Sequence, residues 1–493
     1  MSGPGPGLMN KPIGSEPEAM HGRLAWSVDA LRLRYPHMSA DRVLSAAQAR
    51  LLAGAGGAIV LGLVVAPVHT LVVLNAIIAF AYTAVLIHNL ILWPKVIRDP
   101  KLVQIDDDEA RAIPAAELPT YTILVAAYRE HEIIAETLNA MARIDYPRNL
   151  LEVKLILEAD DQATRASALA ARSVLDVDIV LVPAASPRTK PKALNYGFDT
   201  ARGQLITVYD AEDRPDPLQL RKAALAFRRA DPKLACLQAR LEYHNPHQNR
   251  LTRWFTVEYL AWFSRLLPAI AERGTPVPLG GTSMHIRRDA LMQVGGWDPY
   301  NVTEDCDLGV RLYRLGFRTA ILDSITYEEA NSDFVNWVKQ RSRWYKGFAQ
   351  TWLVHMRQPL RLWRELGTSA FFGFNILVGA TTLVSLLNPV FWVSTVLWFL
   401  IRPELLQTVY PGWIYFPGLI SMIFGNFFAY YLGLVTVRAA NRPDLLSAVL
   451  LYPIYWAMMS IGALRAFLQL LVSPFFWEKT AHGLDRPVAP EVV

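Results

Sequence analysis

The chain has 493 residues, of which 52% are hydrophobic and only 19% are charged, and its formal net charge is +5. Soluble globular domains average about 25% charged residues, so this composition excludes a disordered chain and argues against a wholly soluble protein. Two cysteines are too few for a disulfide-stabilised scaffold.

The N-terminal part predicts a cytoplasmic segment followed by two transmembrane helices. Residues 1–20 are rich in glycine and proline, so we expect a disordered tail at the start of a cytoplasmic segment, residues 1–50. Residues 51–93 contain no Lys, Arg, Asp or Glu. Because a span needs about 20 apolar residues, this stretch fits two helices with a turn near Pro67. Basic residues flank both ends of the pair, which predicts that both ends are cytoplasmic.

Residues 367–473 predict three or four further membrane helices. Their charge-free stretches are residues 367–401, 405–437 and 445–464. Pro389 predicts a break within the first stretch. Four helices would return the C-terminal tail, residues 474–493, to the cytoplasm but would place Arg438 and Arg442 outside. Three helices with a re-entrant piece would keep these arginines inside, and we favour four.

Between the two membrane regions, residues 98–366 predict a cytoplasmic α/β domain. Predicted strands are residues 121–126, 153–157, 179–182 and Leu205–Tyr209, and predicted helices include residues 133–143 and 164–174. Strands that alternate with helices favour a mainly parallel sheet with ligands at the carboxyl ends of its strands. Neither GxGxxG nor GxxxxGK[ST] occurs, so the sequence does not support a Rossmann dinucleotide site or a P-loop.

An acidic segment, DAED at residues 210–213, directly follows the predicted strand Leu205–Tyr209. In extended chain Asp210 and Glu212 point to one side, and two carboxylates with a substrate diphosphate suit Mg²⁺ or Mn²⁺. A solvated acidic turn is the commoner explanation of such a pair taken alone. The preceding strand favours a metal site, although either Glu212 or Asp213 could be the second ligand.

Two further motifs carry charged or aromatic groups. Glu304 and Asp305 follow Thr303 at a predicted helix start, where an N-cap with acids in the first turn is an equally good explanation. Gln340, Arg343 and Trp344 share one helix face by the i, i+3, i+4 rule. Guanidinium groups bind diphosphate. The aromatic-rich segment around Gln340–Trp344, about residues 334–356, and a second such segment, about residues 249–268, are predicted to lie on the membrane, with ordinary core helices as the alternative.

In chain order, DAE at 210–212, TED at 303–305 and QRSRW at 340–344 resemble the D-x-D, TED and QRxRW motifs of processive family-2 inverting glycosyltransferases. These are membrane synthases of the cellulose, chitin and hyaluronan type, and the segments around the motifs look most like bacterial exopolysaccharide synthases. The resemblance covers roughly residues 119–350. It implies an α/β GT-A domain inserted in an α-helical transmembrane domain, in the bacterial inner membrane with the catalytic domain cytoplasmic.

The resemblance also implies a role for each motif residue. Asp305 would be the general base with Glu304 beside it, and the metal ligands would be Asp210 with Glu212 or Asp213. The implied contacts with donor and acceptor are Ala126, Tyr128, Glu130, Glu158, Asp160, Lys192, Gly281, Thr282, Gln340, Arg341, Arg343 and Trp344. The second-strand site, residues 158–161, departs from the family because it reads EADD instead of the commoner Asp-Asp-Gly.

The implied reaction transfers a hexose from a UDP-sugar, UDP-glucose by family frequency, to a growing β-linked polysaccharide that the same chain translocates. The implied partners are the UDP-sugar, the growing polysaccharide and the lipid bilayer; periplasmic or export subunits stay unidentified. A non-processive enzyme with a lipid acceptor, such as polyprenyl phosphate or a glycolipid, stays open. So does a transporter or scaffold with a degenerate domain, against which the intact carboxylates at 210, 212 and 305 argue. Basic flanks of the spans explain the net charge without nucleic acid.

Overall fold

The computed structural model describes residues 16–172, 174–401 and 404–478. Helix α1 (Glu16–Arg34) and the turn after it lie on the α/β domain. Asn195 Nδ2 donates to the Ser27 carbonyl at 3.0 Å, and the Ala40 amide donates to Asp298 at 2.5 Å. From residue 16 onward the N-terminal segment is therefore folded, whereas the rest of the predicted disordered tail lies outside the described residues.

The predicted N-terminal pair of spans forms a helical hairpin. Helix α2 (Ala46–Val65) starts with a capping box between Ser45 and Gln48. Pro67 begins helix α3 (Pro67–Ile97). Proline is tolerated there because the first residues of a helix make no intrahelical hydrogen bond through their N–H groups. The charge-free sequence thus forms two long apolar helices that meet at Pro67, as predicted.

A mixed sheet of eight strands forms the centre of the α/β domain. The strands are β1 (Tyr121–Ala127), β2 (Leu151–Glu158), β3 (Asp178–Val182), β4 (Leu205–Tyr209), β5 (Arg214–Pro215), β6 (Leu234–Tyr243), β7 (Met284–Arg287) and β8 (Arg318–Glu328). Their order is β3-β2-β1-β4-β7-β6-β8-β5. The first four are parallel, as predicted, but β7 runs antiparallel to both β4 and β6, and β5 runs antiparallel to β8. The parallel sheet predicted from the sequence is therefore only half of the observed one.

Helices cover both faces of the sheet. They are α4 (Asp107–Ala112), α5 (Ile134–Ala142), α6 (Gln162–Ala170), α7 (Lys190–Phe198), α8 (Gln219–Arg229), α9 (Arg250–Ala261), α10 (Leu267–Glu272), α11 (Arg288–Gln293), α12 (Glu304–Arg314), α13 (Phe334–His355) and α14 (Pro359–Leu366). A π-helical turn, Trp262–Leu266, joins α9 to α10. Alternate residues of each central strand pack on opposite faces: Val125 lies in one core with Leu138, and Leu124 lies in the other with Leu194.

Among the described residues, the C-terminal part forms three long apolar helical runs, whereas we favoured four membrane helices. Its helices are α15 (Thr368–Phe374), α16 (Thr381–Leu400), α17 (Glu404–Val409), α18 (Gly412–Ala439), α19 (Leu446–Leu450) and α20 (Tyr452–Val472). A π-helical segment, Asn375–Ala380, joins α15 and α16 into one run. The predicted break at Pro389 is wrong, because α16 continues through this residue. Tyr82 of α3 contacts the helix beside the proline, with hydrogen bonds to the Val384 carbonyl at 3.1 Å and to Asn388 Oδ1 at 2.6 Å.

Five helical runs among the described residues are long and apolar enough to cross a membrane. They are Ala46–Val65, Pro67–Ile97, Thr368–Leu400, Gly412–Ala439 and Tyr452–Val472. The two segments predicted to lie on the membrane form α9–α10 and α13. Most of α9 is buried, and Trp254 and Phe255 pack in one core with Phe428 of α18 and Val449 of α19.

Candidate active site

A cavity of about 280 Å³ opens at the carboxyl ends of β1, β2 and β4. It is closed on the other side by the first turn of α12 and the middle of α13. Twelve of the residues predicted from the sequence line it: Ala126, Tyr128, Glu130, Glu158, Asp210, Glu212, Gly281, Glu304, Asp305, Gln340, Arg343 and Trp344. The three separate motifs therefore meet in one place.

Two carboxylates face the cavity where β4 ends. Asp210 forms an ion pair with Lys190, whose Nζ also donates to the Gly281 carbonyl at 3.1 Å. Glu212 lines the cavity as well. Asp213 is fully buried beneath this turn, where it accepts hydrogen bonds from the Asp210 amide at 2.7 Å and from the Thr282 hydroxyl.

Asp213 and Thr282 thus shape the acidic turn and do not line the cavity. Burial, followed by repulsion from Asp210 and Glu212, raises the pKa of Asp213 well above its ordinary value. Glu212 lines the cavity and Asp213 does not, so the geometry favours Glu212 as the second metal ligand beside Asp210.

The donor set at this end of the cavity fits a divalent metal that is bound together with its substrate. Within the described ranges no group of three or more His, Cys, Asp and Glu is arranged as a metal site. Mg²⁺ commonly takes only one or two protein carboxylates and completes its shell with water and substrate phosphates. Asp210 and Glu212 meet that requirement for Mg²⁺ or Mn²⁺.

Glu304 and Asp305 form the first turn of α12. Thr303 takes the N-cap position, but its side chain makes no capping hydrogen bond. Asp305 is half-buried and accepts from the Cys306 amide at 2.8 Å. Gly281 has a φ of +83°, and a Cβ there would lie only 3.0 Å from Asp305 Oδ2. A glycine at this position therefore leaves room for the carboxylate at the cavity wall.

The two acids titrate differently from free carboxyls. Burial, with repulsion from Asp305, raises the pKa of Glu304 to about 8. Burial also raises the pKa of Asp305, to about 6, against the lowering effect of the Cys306 hydrogen bond and of Lys190 and Arg343. At neutral pH Asp305 is thus mostly ionised while Glu304 holds its proton. Asp305 is the member of the pair that can accept a proton.

Helix α13 presents the predicted face, Gln340, Arg343 and Trp344, to the cavity. A Cβ on Gly347 would overlap the side chain of Thr303, so the missing side chain lets α13 approach the start of α12 closely. Arg341 points elsewhere: it is buried, pairs with Glu258 and donates to the Tyr455 hydroxyl at 2.8 Å.

Three other predicted contacts lie outside the cavity lining. Lys192 is fully buried in an ion pair with Glu158 at 2.9 Å, so it reaches the cavity only through its partner. Asp160 forms an ion pair with Arg188 at 2.7 Å, and Arg188 itself lines the cavity. Thr282 lies behind the wall, as described above.

Sequence reasoning missed several lining residues that carry charge or an aromatic ring: Arg188, Lys190, Tyr259, Glu328 and Trp477. Lys190 stands two positions before the lysine that was predicted, and nothing in the local pattern separates the two. Tyr259 stacks on Trp344 with ring centroids 6.1 Å apart. The Trp477 ring lies 4.9 Å from the Arg343 guanidinium carbon, although it belongs to the C-terminal tail.

Glu328 ends β8, a strand that was not predicted, and lines the cavity near the acidic turn. Burial raises the pKa of Glu328 well above its ordinary value, and the charges of Asp213, Glu212 and Asp210 raise it further. Glu328 therefore adds a carboxyl group that is harder to ionise than a free one to the wall of the cavity.

The central part of the chain matches known proteins. Residues 119–347 match the family model described as "Glycosyltransferase like family 2". "Probable glycosyltransferase YdaM" of Bacillus subtilis is 28% identical over 254 residues, which are 50% of this chain and 60% of that protein. "Beta-monoglucosyldiacylglycerol synthase" of Trichormus variabilis is 27% identical over 256 residues, 51% of this chain and 53% of that protein. The match thus spans about half the length of these relatives.

Among solved structures, "Mannosyltransferase PcManGT from Pyrobaculum calidifontis in complex with GDP-Man and Mn2+" aligns with a TM-score of 0.50 at 18% identity. The alignment covers 82% of this chain and 99% of that chain. At this identity the likeness concerns the fold, and with the family match it confirms the predicted GT-A-like domain flanked by apolar helices.

Proposed function

We propose that this chain, whose residues 119–347 match the family-2 glycosyltransferase model, is an inverting, metal-dependent hexosyltransferase of the bacterial inner membrane. It transfers a sugar from a UDP-sugar, with UDP-glucose first among the candidates, to the end of a growing β-linked polysaccharide that it also translocates. The observation that carries this proposal is the cavity in which Asp305 and Asp210 lie with Lys190 and Arg343. A base, metal-binding carboxylates and cations in one place are what a single displacement from a nucleoside diphosphate requires.

Asp305 is the proposed general base. Its carboxylate accepts the proton of the acceptor hydroxyl while the hydroxyl oxygen bonds to the anomeric carbon of the donor. The bond from that carbon to the diphosphate breaks, and the nucleoside diphosphate leaves with the bonding electrons. Attack opposite the leaving group inverts the anomeric configuration. Lys190 and Arg343 support this role because their charges lower the pKa of Asp305 and keep it ionised at neutral pH.

The leaving diphosphate needs positive charge around it. A divalent metal held by Asp210 and Glu212 would supply Lewis-acid stabilisation of the leaving group when bound. Lys190 and Arg343 line the same cavity on the side of the acidic turn and α13, and charge-assisted hydrogen bonds from both would hold the diphosphate. Lys190 takes the place that the sequence assigned to Lys192.

The nucleoside would lie where β1 and β2 end. Ala126, Tyr128 and Glu158 line that end of the cavity, and Arg188 adds a cation beside them. The buried ion pair with Lys192 fixes the orientation of Glu158. This arrangement supports recognition of the base or ribose by Glu158, with Lys192 as its positioning residue.

The acceptor would enter between Tyr259, Trp344 and Glu328. Two stacked aromatic rings and a carboxyl suit the apolar face and the hydroxyl groups of a sugar ring. The QRSRW motif on α13 supports a polysaccharide acceptor by its resemblance to polymer synthases. A lipid acceptor is the second candidate, because the relative from Trichormus variabilis carries the name of a glucosyldiacylglycerol synthase.

A donor and product assay tests both parts of the proposal. The full chain in lipid nanodiscs is incubated with individual radiolabelled UDP-sugars and Mg²⁺ or Mn²⁺, with Asp305→Asn as the inactive control. We expect release of UDP with one preferred donor and a labelled polymer that stays at the origin in chromatography. If the labelled product is instead a solvent-extractable lipid that carries a single sugar, the acceptor is the second candidate, a lipid. Absence of UDP release with every donor would contradict the proposed UDP-sugar transferase.

A further inference from the structure

Helix α20 is long enough to cross a membrane, yet it begins on the catalytic domain. Its 21 residues extend about 30 Å, the thickness of the hydrocarbon core. Ala448 lies just before α20, and its carbonyl accepts a hydrogen bond from Trp254 Nε1 of α9 at 3.0 Å. In the first turn of α20 the Tyr455 hydroxyl donates to Glu258 at 2.5 Å and accepts from Arg341 at 2.8 Å. The start of α20 is therefore bound to α9 and α13.

The far end of α20 is bound to the same domain. Lys346 Nζ of α13 donates to Gln469 Oε1 at 3.1 Å and to the Phe476 carbonyl at 2.7 Å. Gln350 Nε2 of α13 donates to the Pro474 carbonyl at 2.8 Å. The chain thus enters and leaves α20 on the catalytic domain.

Between its ends α20 runs along α13. A Cβ on Gly462 would lie 3.0 Å from Arg341 Cβ, so the two helices touch closely there. Tyr345, one turn after Arg341 on α13, packs on Ala463 and Ala466 of α20. A spanning helix would have its two ends on opposite sides of the hydrocarbon core, about 30 Å apart. Contact with one cytoplasmic domain along the whole helix does not allow that separation.

An arginine inside α20 fits the same conclusion. Arg465 is exposed and its guanidinium donates to Glu478, in the segment after the helix, at 2.5 Å. In a spanning helix this residue would lie within the hydrocarbon core, where a charged side chain is costly. At the level of the lipid headgroups an arginine and its carboxylate partner are well solvated.

Helix α18, the long helix that precedes α19 and α20, returns the chain to the side of the catalytic domain. Phe428 of α18 packs on Trp93 near the end of α3, with ring centroids 4.5 Å apart. Beyond α18, Arg442 pairs with Asp444 at 2.8 Å and lies 3.4 Å from His247 of the catalytic domain. The positive residues after α18 are therefore on the cytoplasmic side, as the positive-inside rule requires.

We propose that α20 lies in the surface of the cytoplasmic leaflet, and that the chain crosses the membrane four times, through α2, α3, the α15–α16 run and α18. One face of α20 packs on α13, whose other face lines the catalytic cavity. The opposite face contacts acyl chains through an exposed apolar stripe at helical spacing: Ile454, Ile461, Leu464, Leu468 and Leu471. This assignment is independent of the acceptor and keeps both Arg442 and the C-terminus inside.

The side of the C-terminus separates this topology from the alternatives. To locate the C-terminus, the full chain is fused there to green fluorescent protein or to alkaline phosphatase. To locate the end of α18, the Ala440→Cys variant is labelled with an impermeant maleimide. We expect a fluorescent, phosphatase-negative C-terminus and labelling of Ala440→Cys only in inverted vesicles. The unsubstituted chain is the labelling control, because Cys236 and Cys306 are buried. An external C-terminus would show that α20 crosses, and an external residue 440 would overturn the orientation of α18.

The depth of α20 provides the second test. Bimane is attached to Leu464→Cys on α20 and, as a matched control, to Val393→Cys on the spanning helix α16; both native side chains are exposed. We expect the ratio of quenching by shallow to quenching by deep nitroxide lipids to be about twofold or more higher at residue 464. Equal ratios at the two positions would overturn the proposal even if the C-terminus is internal.

Discussion

Three helices of the catalytic domain each carry two residues of like charge, two positions apart, that have opposite surroundings. The cavity members are Lys190, Asp305 and Arg343, and the buried members are Lys192, Asp307 and Arg341. Residues i and i+2 of an α-helix are separated by about 200° around its axis. One member of each pair therefore faces the cavity while the other is held in a buried ion pair. The same residue type serves ligand binding or folding according to the side of the helix on which it stands.

The pair on α12 shows the contrast most clearly. Asp307 is fully buried and contacts Arg311 at 2.6 Å and His355 at 2.9 Å. Burial alone would raise the pKa of Asp307, but Arg311 and His355 outweigh it and lower the pKa. Asp305 forms no such ion pair with the residues that the structure describes, and burial raises its pKa. Opposite shifts two residues apart indicate a proton acceptor on one side and a permanent charge on the other.

We expect the largest effect when each of the two aspartates of α12 is replaced by asparagine. Asp305→Asn removes the base and should lower the turnover number by about 10²- to 10⁴-fold, with UDP binding and the melting temperature nearly unchanged. Asp307→Asn leaves Arg311 buried without its partner and should destabilise the fold by about 3–5 kcal/mol. UDP release, UDP binding by calorimetry and thermal unfolding measure the three quantities. Synthesis at the native rate by Asp305→Asn would remove the base assignment.

The lysine pair on α7 should give the second-largest effect. Lys190→Gln removes a cation proposed to stabilise the leaving diphosphate, and we expect the turnover number to fall about 10²- to 10³-fold, as for the loss of one transition-state donor. Lys192→Met leaves Glu158 unpaired, so we expect lower thermal stability and a raised KM for the donor. The comparison fails if Lys192→Met loses more turnover than Lys190→Gln in protein of equal folded fraction.

The first half of the sheet could be predicted because its strands are short apolar runs between helices. The second half could not, because its buried strands carry polar residues that interrupt the apolar pattern. Ser324 and Thr326 of β8 are buried, and both accept hydrogen bonds from the Gln219 side chain. These hydrogen bonds join segments that are far apart in the sequence and satisfy the buried polar groups. The pattern of neighbouring residues does not indicate such contacts.

The site could be predicted as far as its motifs extend. Periodicity placed Gln340, Arg343 and Trp344 on one face of α13, and in the structure all three line the cavity. It could not choose between Lys190 and Lys192, since the rotation of α7 against the sheet depends on tertiary packing. Trp477 follows α20, and its contact with Arg343 depends on how that helix lies on α13.

The arginine pair on α13 should show a smaller difference. Arg343→Lys keeps the charge but loses the bidentate geometry for a diphosphate, so we expect kcat/KM for the donor to fall about 10-fold with the melting temperature unchanged. Arg341→Lys should instead lower the melting temperature, because a lysine cannot satisfy both Glu258 and Tyr455 at once. Steady-state kinetics and thermal unfolding of the two variants, each compared with the native chain, measure this difference. Loss of donor binding in a fully folded Arg341→Lys variant would contradict the division.

The pH dependence of the α12 pair should give the smallest effect. Asp305 must be ionised to accept a proton, and its pKa of about 6 predicts that kcat/KM at pH 6 is about half its value at pH 8. Asp307 has a lowered pKa, so its stabilising contribution is present above the ordinary carboxyl pKa and is lost only in more acidic solution. The difference in melting temperature between the native chain and Asp307→Asn should therefore stay constant from pH 8 to about pH 5, while kcat/KM falls over the same interval. A melting difference that declines in parallel with activity would show that the two aspartates titrate together and would remove the distinction between them.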